Sequence, residues 1–415
     1  MTARRFPLII WLLLLFLSRL PIAHAQNGIS RVQTTADYRY GQVMTFRLQA
    51  DSERPITRVT LAFSTPTLPN TFTADIPLTP TQSIAVTQTV DLTQVHIAPF
   101  ASVTFWWTLT DANGDVYALP ESSLLYADDR FRWQALEREG VVIHWAEGDP
   151  VLAQTALDVV AQARPRLQAI IPAAWPAPLH VYLYPTSSDL RAALLLAGSD
   201  WVGGHASPSL GVVLVTAADP ITAPATLRRS LPHELTHWLL YQATSSSYDT
   251  MPAWFGEGLA TWFEENPNPN YAAILQQAVS ADQTLPFQEL CLGFPTSEND
   301  ALLAYAQSAS LVATIQARYG NHALTELIAA FGDGLRCEAA VQQVLGISMT
   351  DLTQIWRRAQ QQQTPLQRYW LQNRAWLLLL LGGFLLTGLL VVSGTGLPLP
   401  KGSGNDSPPS SRNQV

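Results

Sequence analysis

Five consecutive residues, His233-Glu234-Leu235-Thr236-His237, carry the clearest chemical pattern of the chain. Residues four apart on a helix share a face, one turn apart, so His233 and His237 can aim their imidazoles at one point. Glu234 sits beside the first of them and can reach the open side of a bound ion without ligating it. This set suits Zn2+, which in catalytic sites takes three protein ligands and keeps a fourth position for water. Average composition yields about one accidental His-Glu-x-x-His per hundred chains of this length, so the pattern is specific.

The third ligand must come from a neighbouring element, and Glu257 is the best placed. It lies in Trp254-Phe255-Gly256-Glu257-Gly258-Leu259-Ala260, twenty residues after His237, a gap that suits a helix, a loop and a second helix crossing back. Ser245 to Asp249 reads as the loop. Pro252 suits a first helical position, and Asn266-Pro267 ends the helix. Gly256 and Gly258 each cost a helix roughly 1 kcal/mol relative to Ala, which suggests close approach of another element beside the carboxylate. Pro232 lacks a backbone donor, so the first helix either kinks there or starts there; the metal-binding turn lies beyond it in both cases.

The elements that must hold these residues belong to two kinds of segment. Residues 27–128 read as all-β: Val43 to Leu48, Ile56 to Phe63 and Ser102 to Leu109 alternate apolar with polar, and Asp111-Ala112-Asn113-Gly114-Asp115 signals a hairpin turn. Several short strands over about a hundred residues suggest a small immunoglobulin-like sandwich. Residues 129–366 read as α/β (α+β), with strands at Val141 to Trp145, Leu179 to Tyr184 and Gly211 to Val215 and helices at Val151 to Ile171, Ser188 to Leu196 and beyond the metal motif.

Composition narrows the setting. Charged residues are 13% of the 415, the formal net charge is −8, and Lys401 is the only lysine. No basic cluster interleaved with aromatics is present, which argues against nucleic acid as a partner. Arg4 and Arg5, the apolar run Leu8 to Leu17 and Ala23-His24-Ala25 read as a signal peptide over residues 1–25. Residues 375–392 carry no charge and just meet the length of a transmembrane helix, with a polar, disordered tail at 393–415. Arginines are more numerous before this span than after it, against the positive-inside rule; the leading segment is given precedence. The expected arrangement is a single-pass cell-membrane protein with its catalytic domain extracytoplasmic. Cys291 and Cys337, the only cysteines, are expected to form one disulfide in that compartment.

The stretch from about Leu179 to Gly320 resembles the peptidase MA-like gluzincin zinc metalloproteases, the group with the thermolysin-like catalytic domain. The two motifs around His233 and Glu257 carry the resemblance. Tyr305-Ala306-Gln307-Ser308-Ala309, Arg318-Tyr319-Gly320 and Gly203-Gly204-His205-Ala206 are softer matches. The resemblance implies His233, His237 and Glu257 as zinc ligands and Glu234 as general base, and it makes Tyr305 the candidate oxyanion donor. The implied chemistry is peptide hydrolysis: zinc acidifies a water, and Glu234 takes its proton and passes it to the leaving amine. Gly211, Val212 and Val213 are expected to pair with an extended polypeptide substrate. In thermolysin an aspartate one turn after the glutamate ligand supports a zinc histidine; Thr261 stands here, and Glu264, one further turn on, is the available substitute. No histidine plainly matches thermolysin's distant catalytic one, though His205 and His322 are available. No glutamate-bearing motif for capturing a free amino terminus is visible, which favours an endopeptidase. The alternatives are a degenerate surface binding protein and a zinc hydrolase of a non-peptide amide.

Overall fold

The computed structural model describes residues 28–146, 150–175, 178–194, 204–217, 221–362, 373–383 and 385–387. The expected signal peptide and the tail lie outside these residues, and so do positions 384 and 388–392 of the expected 375–392 span. Among the described residues no helix is long and apolar enough to cross a membrane.

The chain divides into two compact units, residues 1–349 and 350–415. Within the first, six strands come first: β1 (Ile29–Arg39), β2 (Val43–Ser64), β3 (Phe72–Asp91), β4 (Ala101–Asp111), β5 (Val116–Ala118) and β6 (Ser122–Tyr126). They form one hydrogen-bonded sheet in which β2 pairs with β1, β3 and β4. Where the sequence suggests a small immunoglobulin-like sandwich, the six strands are hydrogen-bonded into one sheet. Val43 to Leu48 and Ile56 to Phe63 belong to the single 22-residue strand β2. A straight strand would put Phe46 and Phe63 roughly 55 Å apart at about 3.3 Å per residue. Their rings lie 5.4 Å apart instead, and Phe46 also meets Phe105 at 5.1 Å. The strand therefore doubles over at the register irregularity between Asp51 and Ile56, where Pro55 supplies no ladder donor. The sheet faces itself across an aromatic core.

A second, mixed sheet follows, in the order β10-β11-β9-β8-β7. Its strands are β7 (Gln134–Arg138), β8 (Val141–Trp145), β9 (Leu179–Tyr184), β10 (Gly204–Ser207) and β11 (Val212–Thr216), with α1 (Pro150–Gln168) and α2 (Ser187–Leu194) inserted between them. Period-two alternation gives β9 two apolar faces. Tyr182 and Tyr184 share the core of the first sheet, and Phe100 stacks on Tyr182 at 3.5 Å between centroids. The core is thus continuous across residue 128.

The helices of the site are α3 (Ala223–Thr244) and α4 (Ala253–Phe263), joined by a 3-10 turn at Ser245–Thr250. Then come α5 (Tyr271–Ser280), α6 (Phe287–Leu290), α7 (Glu298–Gly332) and α8 (Cys337–Leu345). The long α7 is broken at Gly320, whose φ of 81° and ψ of 175° are non-helical and belong to glycine. Cys291 and Cys337 form a disulfide, and the Trp254 indole on α4 donates to Cys337 Sγ at 3.1 Å. In the second unit, α9 (Met349–Gln362) begins at the boundary.

Candidate metal centre

Helix α3 runs without interruption through Pro232, so the proline neither starts nor breaks it. The absent N–H would have bonded to the carbonyl of Arg228, four residues back. That carbonyl accepts from the Glu265 backbone N–H instead, at 3.0 Å. The proline thus opens a docking point on α3 for the chain leaving α4. The neighbouring Glu264 is drawn against α3, where its Oε1 lies 3.1 Å from His233 Nδ1. A sequence feature that looked like a local cost sets the register of the two ligand helices.

The side chains converge as the spacing requires. His233 Nε2 and His237 Nε2 lie 3.3 Å apart, and Glu257 Oε2 is 3.4 Å from each of them. The three ligand atoms all fall within 4.8 Å of one another. Each histidine is held by its other nitrogen: Glu264 Oε1 meets His233 Nδ1, and the Tyr248 hydroxyl lies 3.3 Å from His237 Nδ1. Such partners fix ring orientation and raise ligand basicity. Tyr248 was not singled out from the sequence. It sits in a Ser-rich connecting turn with no pattern to mark it.

The glycines differ in what they do. A Cβ on Gly258 would lie 2.8 Å from the Ser308 carbonyl carbon and oxygen, so α4 and α7 can pack this closely only through a glycine. A Cβ on Gly256 would meet only the Met251 sulfur, at 3.6 Å, which is ordinary contact. Close approach thus explains one of the pair. Gly204 on β10 is the tighter case: a Cβ there would fall 2.5 Å from Glu234 Oε1. The edge strand lies directly on the Glu234 carboxylate, and the Ala206 backbone N–H donates to it.

Burial raises the Glu234 pKa, with the two histidines opposing and Glu257 adding to the rise. A carboxylate so perturbed holds a proton more readily, which suits a general base that must later act as an acid. Burial alone would lower His233, but Glu257 and Glu264 beside it raise it to about 10. Burial would raise Glu257, yet His237 and His233 hold it well below the carboxylate range. These directions describe carboxylates and imidazoles that act strongly on one another. Glu257 Oε2 is buried without a hydrogen-bond partner, as is expected of an oxygen reserved for a metal ion. Two imidazole nitrogens and a carboxylate oxygen match the ligand set of catalytic zinc, so the residues present fit it.

The centre opens into a cleft of about 740 Å³, whose lining includes His205, Glu234, Tyr248, Glu257, Arg229 and Tyr305. Tyr305 stands on α7 with its ring 6.1 Å from that of His233, and burial pushes its phenol well up, so it stays an O–H donor. His205 lines the cleft from β10. His322 is outside the lining, exposed, and paired one turn on with Glu326 at 3.0 Å. The expectation that Gly211, Val212 and Val213 form the substrate edge is corrected. β11 is paired on both sides, antiparallel to β10 and parallel to β9, and Val212 and Val213 are buried. The strand at the sheet margin, facing the cleft, is β10.

Residues 159–362 match the Peptidase MA superfamily pattern, a segment that contains both metal motifs. No curated protein matches the sequence significantly. Among solved structures, the chain is similar to an M1 zinc metallopeptidase from Deinococcus radiodurans, with 14% identity, a TM-score of 0.39 and coverage of 80% of this chain and 94% of that one. It is also similar to an aminopeptidase N family protein from Idiomarina loihiensis, with 10% identity, a TM-score of 0.39 and coverage of 79% and 75%.

Proposed function

Through residues 159–362 the chain belongs to the Peptidase MA superfamily, and from that premise we propose that it is a zinc-dependent endopeptidase acting on extended polypeptide. The observation that carries the reading is the convergence of His233, His237 and Glu257 with Glu234 alongside, under an edge strand. Zinc, when bound, supplies a Lewis acid that makes a water acidic near neutral pH and polarises a carbonyl. The rest falls to the protein. Glu234, pinned between Gly204 and the Ala206 N–H, accepts a proton at its carboxylate and returns it to the leaving amine. Tyr305 donates its phenolic proton to the developing oxyanion.

β10 gives the substrate a backbone partner. Among the described residues β10 pairs with β11 alone, and its Gly204, His205 and Ala206 line the cleft, where an extended chain can add as a further strand with little sequence selectivity. β10 reads Gly204-His205-Ala206-Ser207 and offers no carboxylate to hold a free α-amine. This favours cleavage within a chain over removal of its first residue. We further propose an extracytoplasmic, membrane-anchored setting, supported by the apolar runs at Leu8 to Leu17 and 375–392 and by the Cys291–Cys337 bond.

The test is the purified chain with and without Glu234→Gln, scored for bound zinc and for cleavage of an unfolded protein. The variant keeps its zinc and loses at least about a thousandfold in kcat/KM. Turnover near the native rate in that variant removes Glu234 from the mechanism.

A further inference from the structure

One part of the cleft is left unused by this mechanism. Among the described residues that line it, Arg229 is the one arginine or lysine. It stands four residues before His233 on α3, in the same stripe as both ligand histidines, which is about 6 Å along the helix axis. Its Nε donates to the Asn266 carbonyl at 3.0 Å. That bond fixes the plane of the guanidinium, and among the described residues no carboxylate pairs with it. Its outer edge is available for the two-pronged contact that guanidinium makes with carboxylate.

The adjacent wall is built to match. Asn268, Asn270 and Tyr271 line the cleft beside Arg229, in the run Asn266-Pro267-Asn268-Pro269-Asn270-Tyr271. Two prolines fix φ in this segment, so its side chains are presented with little freedom to lose. The Asn270 backbone N–H donates to Asn268 Oδ1 at 3.0 Å. With its oxygen so engaged, the Asn268 amide has its NH2 group left as a donor. Burial raises the Tyr271 phenol, the Glu264 carboxylate adds to the rise and Arg229 opposes it, so it too remains a donor. A guanidinium, an amide NH2 and a phenol share one stretch of wall and supply it with three hydrogen-bond donors.

We propose that Arg229 and the Asn268-Pro269-Asn270-Tyr271 loop form a carboxylate-binding subsite, which directs the peptidase proposed above to polypeptides carrying a carboxylate close to the scissile bond. An extended chain advances about 3.3 Å per residue, so the carboxylate belongs roughly two residues from the cleaved bond. It comes from an Asp or Glu side chain or from a chain terminus. Glu298, Glu257 and Glu264 line the same cleft and repel a carboxylate in their own neighbourhoods, which confines the preference to the position that reaches Arg229.

The subsite rests on the peptidase reading for its place in the reaction, but it is measured by binding. The full chain carrying Glu234→Gln, loaded with zinc, is titrated calorimetrically with peptides in which Glu or Gln is stepped through the central positions, each with a free or an amidated C-terminus. At one position, or at the free terminus, the carboxylate form binds about tenfold tighter than its neutral partner. Whichever substitution produces the gap identifies the source. Adding Arg229→Gln collapses the gap to under about twofold, and Arg229→Lys retains part of it. An equal affinity for every charged and neutral pair in the parent overturns the subsite. So does a gap that survives Arg229→Gln. An arginine that merely tethers Asn266 weakens both members of a pair alike and leaves their ratio standing, which also overturns it. Native chain is assayed in parallel for cleavage. A carboxylate preference without any turnover keeps the subsite and removes the peptidase reading, whereas turnover without the preference removes the subsite alone.

Discussion

Two of the places where the chain takes carboxylates out of water are treated differently. Asp128, with a side chain 0% exposed, lies where the first sheet meets the second. Arg130 grips it with two contacts at 2.8 and 2.6 Å, and the Tyr184 hydroxyl donates to it at 3.1 Å. Every demand of that charge is met by the protein. At the metal centre, Glu257 Oε2 and Glu264 Oε2 are buried with no hydrogen-bond partner, and the nearest basic groups are two imidazoles. A buried carboxylate left short of donors costs about 1–3 kcal/mol or more. The fold satisfies the first cluster within the protein and leaves the second for an outside cation. Buried charge by itself does not mark a site; a buried carboxylate oxygen with no hydrogen-bond partner, set beside two imidazoles, does.

Removing an acid from each cluster separates the two roles most sharply. Glu257→Ala takes away one of three ligands, and the chain is expected to lose zinc at stoichiometric loading. The thermal stabilisation by added zinc, about 4 kcal/mol at a thousandfold excess over the native Kd, disappears with it. Scanning calorimetry with and without zinc, beside metal analysis, reads both. A zinc-dependent shift of native size in Glu257→Ala would remove it from the ligand set.

Asp128→Ala is the counterpart. It leaves the Tyr184 hydroxyl buried without its acceptor, while Arg130, a third exposed, can turn to water. Unfolding free energy falls by about 2–4 kcal/mol, and zinc affinity is unchanged because none of Asp128, Arg130 and Tyr184 lines the cleft that holds the ligands. Denaturant titration and a zinc competition assay give the pair of values. A loss of zinc affinity matching the loss of stability would erase the distinction between the clusters.

The same contrast explains what was legible in the sequence. His233, His237 and Glu257 could be read because helical spacing and a single crossing connection are local geometry. Gly258 was flagged for its helical cost, and the contact with Ser308 supplies the reason. The partner of each histidine was harder. Glu264 was reachable as one turn further along α4, but the link that seats it depends on Pro232 freeing the Arg228 carbonyl for Glu265, which no linear pattern displays. The edge strand carries a signal of its own in the sequence. Val212–Thr216 is buried at every position, the mark of a strand covered on both faces, whereas Gly204–Ser207 is small and polar. The doubling of β2 and the aromatic seam between Phe100 and Tyr182 join residues far apart in sequence, and alternation within a strand carries no record of either.

Within the metal centre the comparison can be made finer, since one histidine leans on a carboxylate and the other on a phenol. Glu264→Gln keeps a hydrogen bond to His233 Nδ1 but removes the charge that makes the imidazole more basic. Support of this kind is worth about 10–100-fold in metal affinity, and a zinc competition titration at fixed pH is expected to fall in that range. An unchanged affinity would mean that the charge of Glu264 serves only the docking of α4 on α3.

Tyr248→Phe is the smallest of these changes and the most discriminating. With His237 as a ligand through Nε2, its Nδ1–H donates to the Tyr248 oxygen, and a neutral acceptor of this kind contributes about 1 kcal/mol. Zinc affinity is therefore expected to drop by less than about tenfold, well short of the Glu264→Gln effect, and the loss should not depend on salt because no charge is removed. Tyr248 also lines the cleft, so a role in holding substrate would appear as a raised KM with zinc content intact. A loss equal to or larger than that of Glu264→Gln would show that the phenol, rather than the buried carboxylate, is the principal support of the ligand pair.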